Sequence, residues 1–144
     1  MSEPRRVLVP TDDSPSALKA VEHVIELARA GLSIEVHLLN VQLPVRGTAA
    51  SLIAKSELND YHREEGTKAL AAAKAKLEAA GLKVEPHIGV GEPGETILAF
   101  AKRLQCGQII MGTRGLGAAA GLVLGSVATY VVSHGGLPVT LLHA

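Results

Sequence analysis

The chain has 144 residues, enough for one domain, with 47% apolar residues and only 2% aromatic. Fourteen Lys+Arg balance fourteen Asp+Glu, which argues against duplex binding and a polybasic membrane surface. The three aromatics, two Tyr and one Phe, argue against stacking on single-stranded nucleic acid. One cysteine excludes an intramolecular disulfide framework and suits a reducing compartment.

Met1-Ser-Glu-Pro-Arg-Arg-Val-Leu-Val-Pro10 lacks the apolar stretch of a signal peptide, so the cytoplasm is the expected compartment. Every Lys, Arg, Asp and Glu lies before Gly115. The charge-free tail from Gly115 to Ala144 is broken by Gly117, Gly121, Gly125, Gly135, Gly136 and Pro138. A spanning helix needs about 20 predominantly apolar residues, so no membrane role is expected. The tail is instead expected to be covered by core, ligand or another chain.

Arg5 to Pro10 is a β-branched run closed by proline and reads as the first strand. Ser14-Pro15 offers an N-cap and a first-turn proline. Leu18, Val21, Val24/Ile25 and Ala28 follow a helical period, and Gly31 is a natural stop. Leu32 to Val41 suits a buried strand, and Gln42 to about Ile53, with Pro44 and Gly47, reads as a mobile loop. A long helix is expected from about Ala54 to Ala80, with Leu70, Ala73, Leu77 and Ala80 on one face. Lys83–Val90 is the third strand and Gly94–Leu104 the third helix, with Ile97, Ala101 and Leu104 inward. Gln108–Met111, a Gly-rich loop, a helix from about Ser126 to Ser133 and a strand Val139–Leu142 complete the chain.

This alternation predicts a single-domain α/β fold over residues 1–144. Its five-stranded parallel sheet is open, with helices on both faces. Ligands of such sheets sit at the carboxyl ends of strands where the strand order reverses. The loops after strands one and four are the ones of interest if those strands are neighbours.

Gly89-Val-Gly91-Glu-Pro-Gly94 matches the GxGxxG dinucleotide pattern. The acid expected about twenty residues later for the ribose is absent, and the corresponding region is Met111-Gly-Thr-Arg114. Arg114 leaves NADP open by that criterion, but Glu92 would set negative charge beside a pyrophosphate and Pro93 removes a donor. A Gly-rich turn is the preferred reading.

Asp12-Asp13 raises a phosphorelay receiver, but no acceptor Asp ends the third strand and no Lys follows Lys102. No GxxxxGK[ST] or GxSxG motif occurs. The six histidines, at 23, 37, 62, 87, 134 and 143, show no HExxH or paired zinc spacing. His23 and His62 are expected on solvated helix surfaces, and Cys106 as a small buried hydrophobe. No catalytic acid, base and nucleophile are assembled by these motifs.

The loop after strand four differs. Gly112-Thr-Arg-Gly115, nine residues and Gly125-Ser126 precede a helix. Its glycines permit close backbone approach. The helix start offers N–H groups and a positive dipole end to an anion, Ser126 adds a hydroxyl, and Arg114 is the nearest cation.

Together with Asp12 at the end of strand one, this loop resembles the nucleotide signature of the universal stress proteins, specifically their ATP-binding branch. Val7-Leu-Val-Pro-Thr-Asp12, Ile109-Ile-Met-Gly-Thr-Arg-Gly115, Gly125-Ser-Val-Ala128 and Pro138-Val-Thr-Leu-Leu142 carry the resemblance. It implies a Rossmann-like sheet of order 3-2-1-4-5, with ATP as ligand and Mg²⁺ as an open companion. Pro10, Thr11 and Asp12 would line the adenosine end, and Val41 would be an apolar wall for adenine. Met111, Gly112 and Gly115 would continue the pocket; Gly125, Ser126 and Val127 would offer N–H groups to phosphate.

The resemblance also implies a homodimer through Val139–Leu142 and a nucleotide-dependent regulator or sensor, with an unidentified protein partner. Slow hydrolysis is the most that Asp12 and Asp13 are expected to support. An adenine-nucleotide enzyme and a nucleotide-free interaction module are the rival readings. Two departures from the family pattern are Gly107-Gln108, where an Asp and an apolar residue are common, and the apolar segment Leu116–Leu124. The second adds no cation beyond Arg114 and leaves the choice between ATP and AMP open.

Overall fold

The computed structural model describes residues 3–45, 54–114 and 124–144. Gly115 and most of the expected Gln42–Ile53 loop lie outside them.

Each strand alternates its side chains between two helical layers, because successive Cβ atoms leave a strand on opposite faces. The described strands are β1 (Arg5–Pro10), β2 (Ile34–Gln42), β3 (Lys83–Val90), β4 (Gln108–Gly112) and β5 (Val139–Leu142). The helices between them are α1 (Pro15–Arg29), α2 (Lys55–Ala79), α3 (Pro93–Arg103) and α4 (Ser126–His134). Val7, Val9, Val36, Leu38 and Ile110 face α1 and α2, where Val21, Val24, Leu70, Ala73 and Leu77 complete one core. Leu8, Leu39, Ile109 and Met111 face the other way and pack with Ile97, Ala101, Ala128 and Val131 of α3 and α4.

The pairs are parallel, as the alternation of elements predicts, and the order is β3-β2-β1-β4-β5, as the family resemblance implies. β1 therefore lies between β2 and β4. Chain order reverses there, and the loops after β1 and β4 diverge to opposite sides of one crevice.

Two details differ from the sequence reading. Ala80 is exposed because it is the C-cap of α2, one step beyond the apolar stripe. His62 is buried on α2, and its Nδ1 has no hydrogen-bond partner among the described residues. Its charged sequence neighbours point elsewhere on the helix, so local composition misjudges its face.

Candidate functional site: the crevice between β1 and β4

The loop after β1 is braced by its own polar groups. Thr11 N–H donates to Leu39 O at 2.8 Å, and Asn40 Nδ2 donates to Thr11 O at 2.9 Å. Asp12 Oδ1 accepts the Ser14 N–H at 3.0 Å, the local loop an Asp side chain forms readily. Ser14 then caps α1, its hydroxyl accepting from Ala17 N–H at 3.3 Å. These bonds hold the Asp12 carboxylate at the rim of the crevice before any ligand arrives.

The loop after β4 is tied to the same helix. Ser16 Oγ donates to the Arg114 carbonyl, and Ser14 Oγ approaches that oxygen at 3.5 Å. Gly112 is required here for packing. A Cβ on it would run into Ser16 Oγ and lie 2.7 Å from the Ser16 carbonyl carbon. The loop returns at Gly125, whose N–H donates to Thr113 O at 2.7 Å.

Gly125 is the N-cap of α4 and Ser126 its first residue, and among the described residues no side chain caps this end. The first N–H groups of a helix have no acceptor within it. Their partial positive charge makes the start of α4 suited to an anion.

These elements enclose a crevice of about 530 Å³, a size typical of small-molecule sites. Pro10, Thr11, Asp12, Val41, Met111, Gly112, Arg114, Gly125, Ser126 and Val127 all line it. Of the site residues named from the sequence, Gly115 falls outside the described residues, as do residues 116–123 of the apolar segment that follows it. The structure adds Leu39, Asn40, Leu43, Thr113, Pro93 and Ile97. Leu39 shares a strand face with Val41, so alternation along β2 could have found it. Pro93 and Ile97 arrive from α3 through tertiary packing, which no local pattern encodes. Among the described lining residues, Asp12 and Arg114 carry the charge.

Cys106 is buried and its thiol is pushed up to about 11 by burial. It therefore stays protonated at neutral pH and is no nucleophile. The GxGxxG glycines also have packing reasons: a Cβ at Gly89 would lie 2.7 Å from Phe100, and one at Gly94 2.5 Å from Tyr130. No helix among the described residues is long and apolar enough to cross a membrane.

An open parallel sheet with its crevice at the reversal point defines an α/β protein of Rossmann-like architecture. A model of the universal stress protein family matches residues 3–143, and the chain belongs to that family. Universal stress protein MJ0531 of Methanocaldococcus jannaschii is 31% identical over 94% of this chain and 79% of its own length. The solved structure of MJ0577, from the same organism, superposes with a TM-score of 0.84 at 31% identity, covering 97% of this chain and 96% of that one. A universal stress protein solved in complex with cAMP gives a TM-score of 0.73 at 25% identity over 99% of both chains.

Proposed function

We propose that the protein is an adenine-nucleotide-binding universal stress protein whose ligand is ATP, and that it acts as a nucleotide-dependent regulator. The observation that carries this reading is the convergence, in one crevice, of an acid, an apolar wall and a helix start with glycine at its N-cap. Val41, Leu39, Ile97 and Met111 suit a flat base. Asp12 suits hydroxyl or amino donors, and the N–H groups of Ser126 and Val127 suit phosphate. Pro10, Thr11 and Gly112 complete the adenosine end, and Gly115 belongs to the proposed set by its position in the motif. The related protein solved with cAMP supports an adenine ring in this fold.

Mg²⁺ takes oxygen ligands, and Asp12 is the carboxylate among the described lining residues, so the cation would be shared with the phosphates. The single cysteine, unpaired and buried, fits the cytoplasm.

The assembly we propose is a homodimer through β5. The two sheet edges differ in a way that supports it. β3 carries Lys83, Glu85, Pro86 and His87, which discourage pairing, whereas Val139-Thr-Leu-Leu142 carries no charge or proline.

The test is calorimetric titration of nucleotide-stripped protein with ATP, ADP, AMP and NADPH, with and without Mg²⁺. Saturable ATP binding tighter than NADPH binding is expected, with a rise in melting temperature at saturating ATP. Silence from every nucleotide on folded protein overturns the reading and favours an interaction module.

A further inference from the structure

Away from the crevice, β2 and β3 bring two histidines together across the sheet. In the parallel register His37 pairs with Glu85 and Leu39 with His87, so the two imidazoles are diagonal neighbours on one face. His37 Nδ1 lies 3.0 Å from His87 Nε2. Glu85 reaches both, at 3.7 Å from His37 Nδ1 and 4.0 Å from His87 Nε2. The three donor atoms all fall within 4.8 Å of one another.

The surrounding groups fix the tautomer of His37. His37 is buried, and its Nε2 meets Glu35 Oε2 at 2.8 Å. A carboxylate can only accept, so the proton of neutral His37 sits on Nε2 and leaves a lone pair on Nδ1. Arg6 at 3.2 Å and Lys83 at 3.6 Å pair with the same Glu35 carboxylate. The 3.0 Å contact then makes His87 Nε2 the donor to His37 Nδ1, and a bound metal takes the place of that shared proton, which is released to water. A carboxylate behind a ligating histidine is the usual device for fixing its tautomer and raising its basicity.

We propose that His37 Nδ1, His87 Nε2 and the Glu85 carboxylate form a binding site for a borderline divalent transition metal such as Zn²⁺, with Glu35 orienting His37. Two imidazoles and one carboxylate suit zinc rather than Mg²⁺ or Ca²⁺, which prefer oxygen. Ligands at the usual zinc distances stand about 3.3 Å apart in a tetrahedron. The imidazole nitrogens are already near that spacing, and the closing movement falls to Glu85. Its side chain is 57% exposed on the edge strand, which gives it room to move and gives solvent water access as a fourth ligand. The proposal is independent of nucleotide binding.

The experiment titrates tag-free, chelator-stripped protein with Zn²⁺ by calorimetry and with Co²⁺ by visible absorption. One ion per chain is expected, with a tetrahedral Co²⁺ ligand-field band and perturbed His37 and His87 imidazole resonances. Glu85→Gln and His87→Ala are expected to weaken binding at least tenfold, Glu35→Gln by about tenfold, and His134→Ala not at all. Absence of saturable binding overturns the proposal, as does saturable binding that survives both Glu85→Gln and His87→Ala. If His87→Ala fails to fold, by circular dichroism, Glu85→Gln on the exposed edge decides alone.

Discussion

Two glycine-rich junctions follow strands of this sheet, and they use glycine differently. At Gly89–Gly94 the space of each missing side chain at positions 89 and 94 is filled by protein, Phe100 and Thr96 for the first and Tyr130 for the second. At the junction between β4 and α4, Gly112 behaves the same way, giving room to Ser16. Gly125 does not. Among the described residues a Cβ there would meet loop backbone, Thr113 O at 3.3 Å and Arg114 Cα at 3.4 Å, beside a helix start that lines the crevice. A glycine pattern marks close approach, and what approaches must be read from the packing around it.

The sharpest break of that comparison is Gly112→Ala. The added methyl collides with the backbone of α1, which cannot swing aside as a side-chain tip can. A loss of about 3 kcal/mol or more is expected in urea unfolding, and an unchanged midpoint would show that α1 yields. Gly125→Val comes next and acts on binding. Its branched side chain is expected to crowd the phosphate approach and weaken ATP more than tenfold, beyond about 1.4 kcal/mol, while the fold, read by circular dichroism, persists. Normal ATP affinity in that variant would remove the start of α4 from the site.

Gly94→Ala is the counterpart at the other junction. Its methyl meets the Tyr130 side chain on α4 from Cδ1 back to Cβ, and relief requires a small shift of that side chain on its helix, so a cost of about 1–3 kcal/mol is expected. ATP affinity should change little, and replacing Tyr130 with a smaller residue should recover part of the loss. A large drop in ATP affinity would instead tie the GxGxxG turn to the ligand.

Most of the fold was legible because its signals are local. Pro10, Pro15, Gly81 and the alternation of β-branched runs with amphipathic stretches bound the elements to within one or two residues. Strand neighbours then follow from parallel α/β rules and the family resemblance. The crevice was legible where short motifs supply several walls, as at Pro10–Asp12, Gly112–Arg114 and Gly125–Val127. It was not legible at Pro93 and Ile97, which reach it only after α3 packs on the sheet.

The histidine cluster shows the same limit. No zinc spacing exists in the sequence, because His37 and His87 are fifty positions apart and meet through strand register alone. His62 fails for a related reason: its helical neighbours are charged, but the face it occupies turns inward.

The smallest expected effect belongs to Arg114, and it refines what the Gly112–Ser126 junction recognises. Its backbone carbonyl is already engaged by Ser16, so Arg114→Ala removes the charged side chain and leaves the loop anchored. Among the described lining residues it is the cation, set against the carboxylate of Asp12. A triphosphate carries more negative charge than a monophosphate, and a partly exposed ion pair is worth about 1 kcal/mol or less. The variant should therefore bind ATP a fewfold more weakly and AMP almost unchanged, with the difference shrinking as salt is raised. Equal losses for ATP and AMP would move Arg114 to the nucleoside end. No loss for either would leave phosphate recognition to the N–H groups at the start of α4, with discrimination between ATP and AMP determined elsewhere.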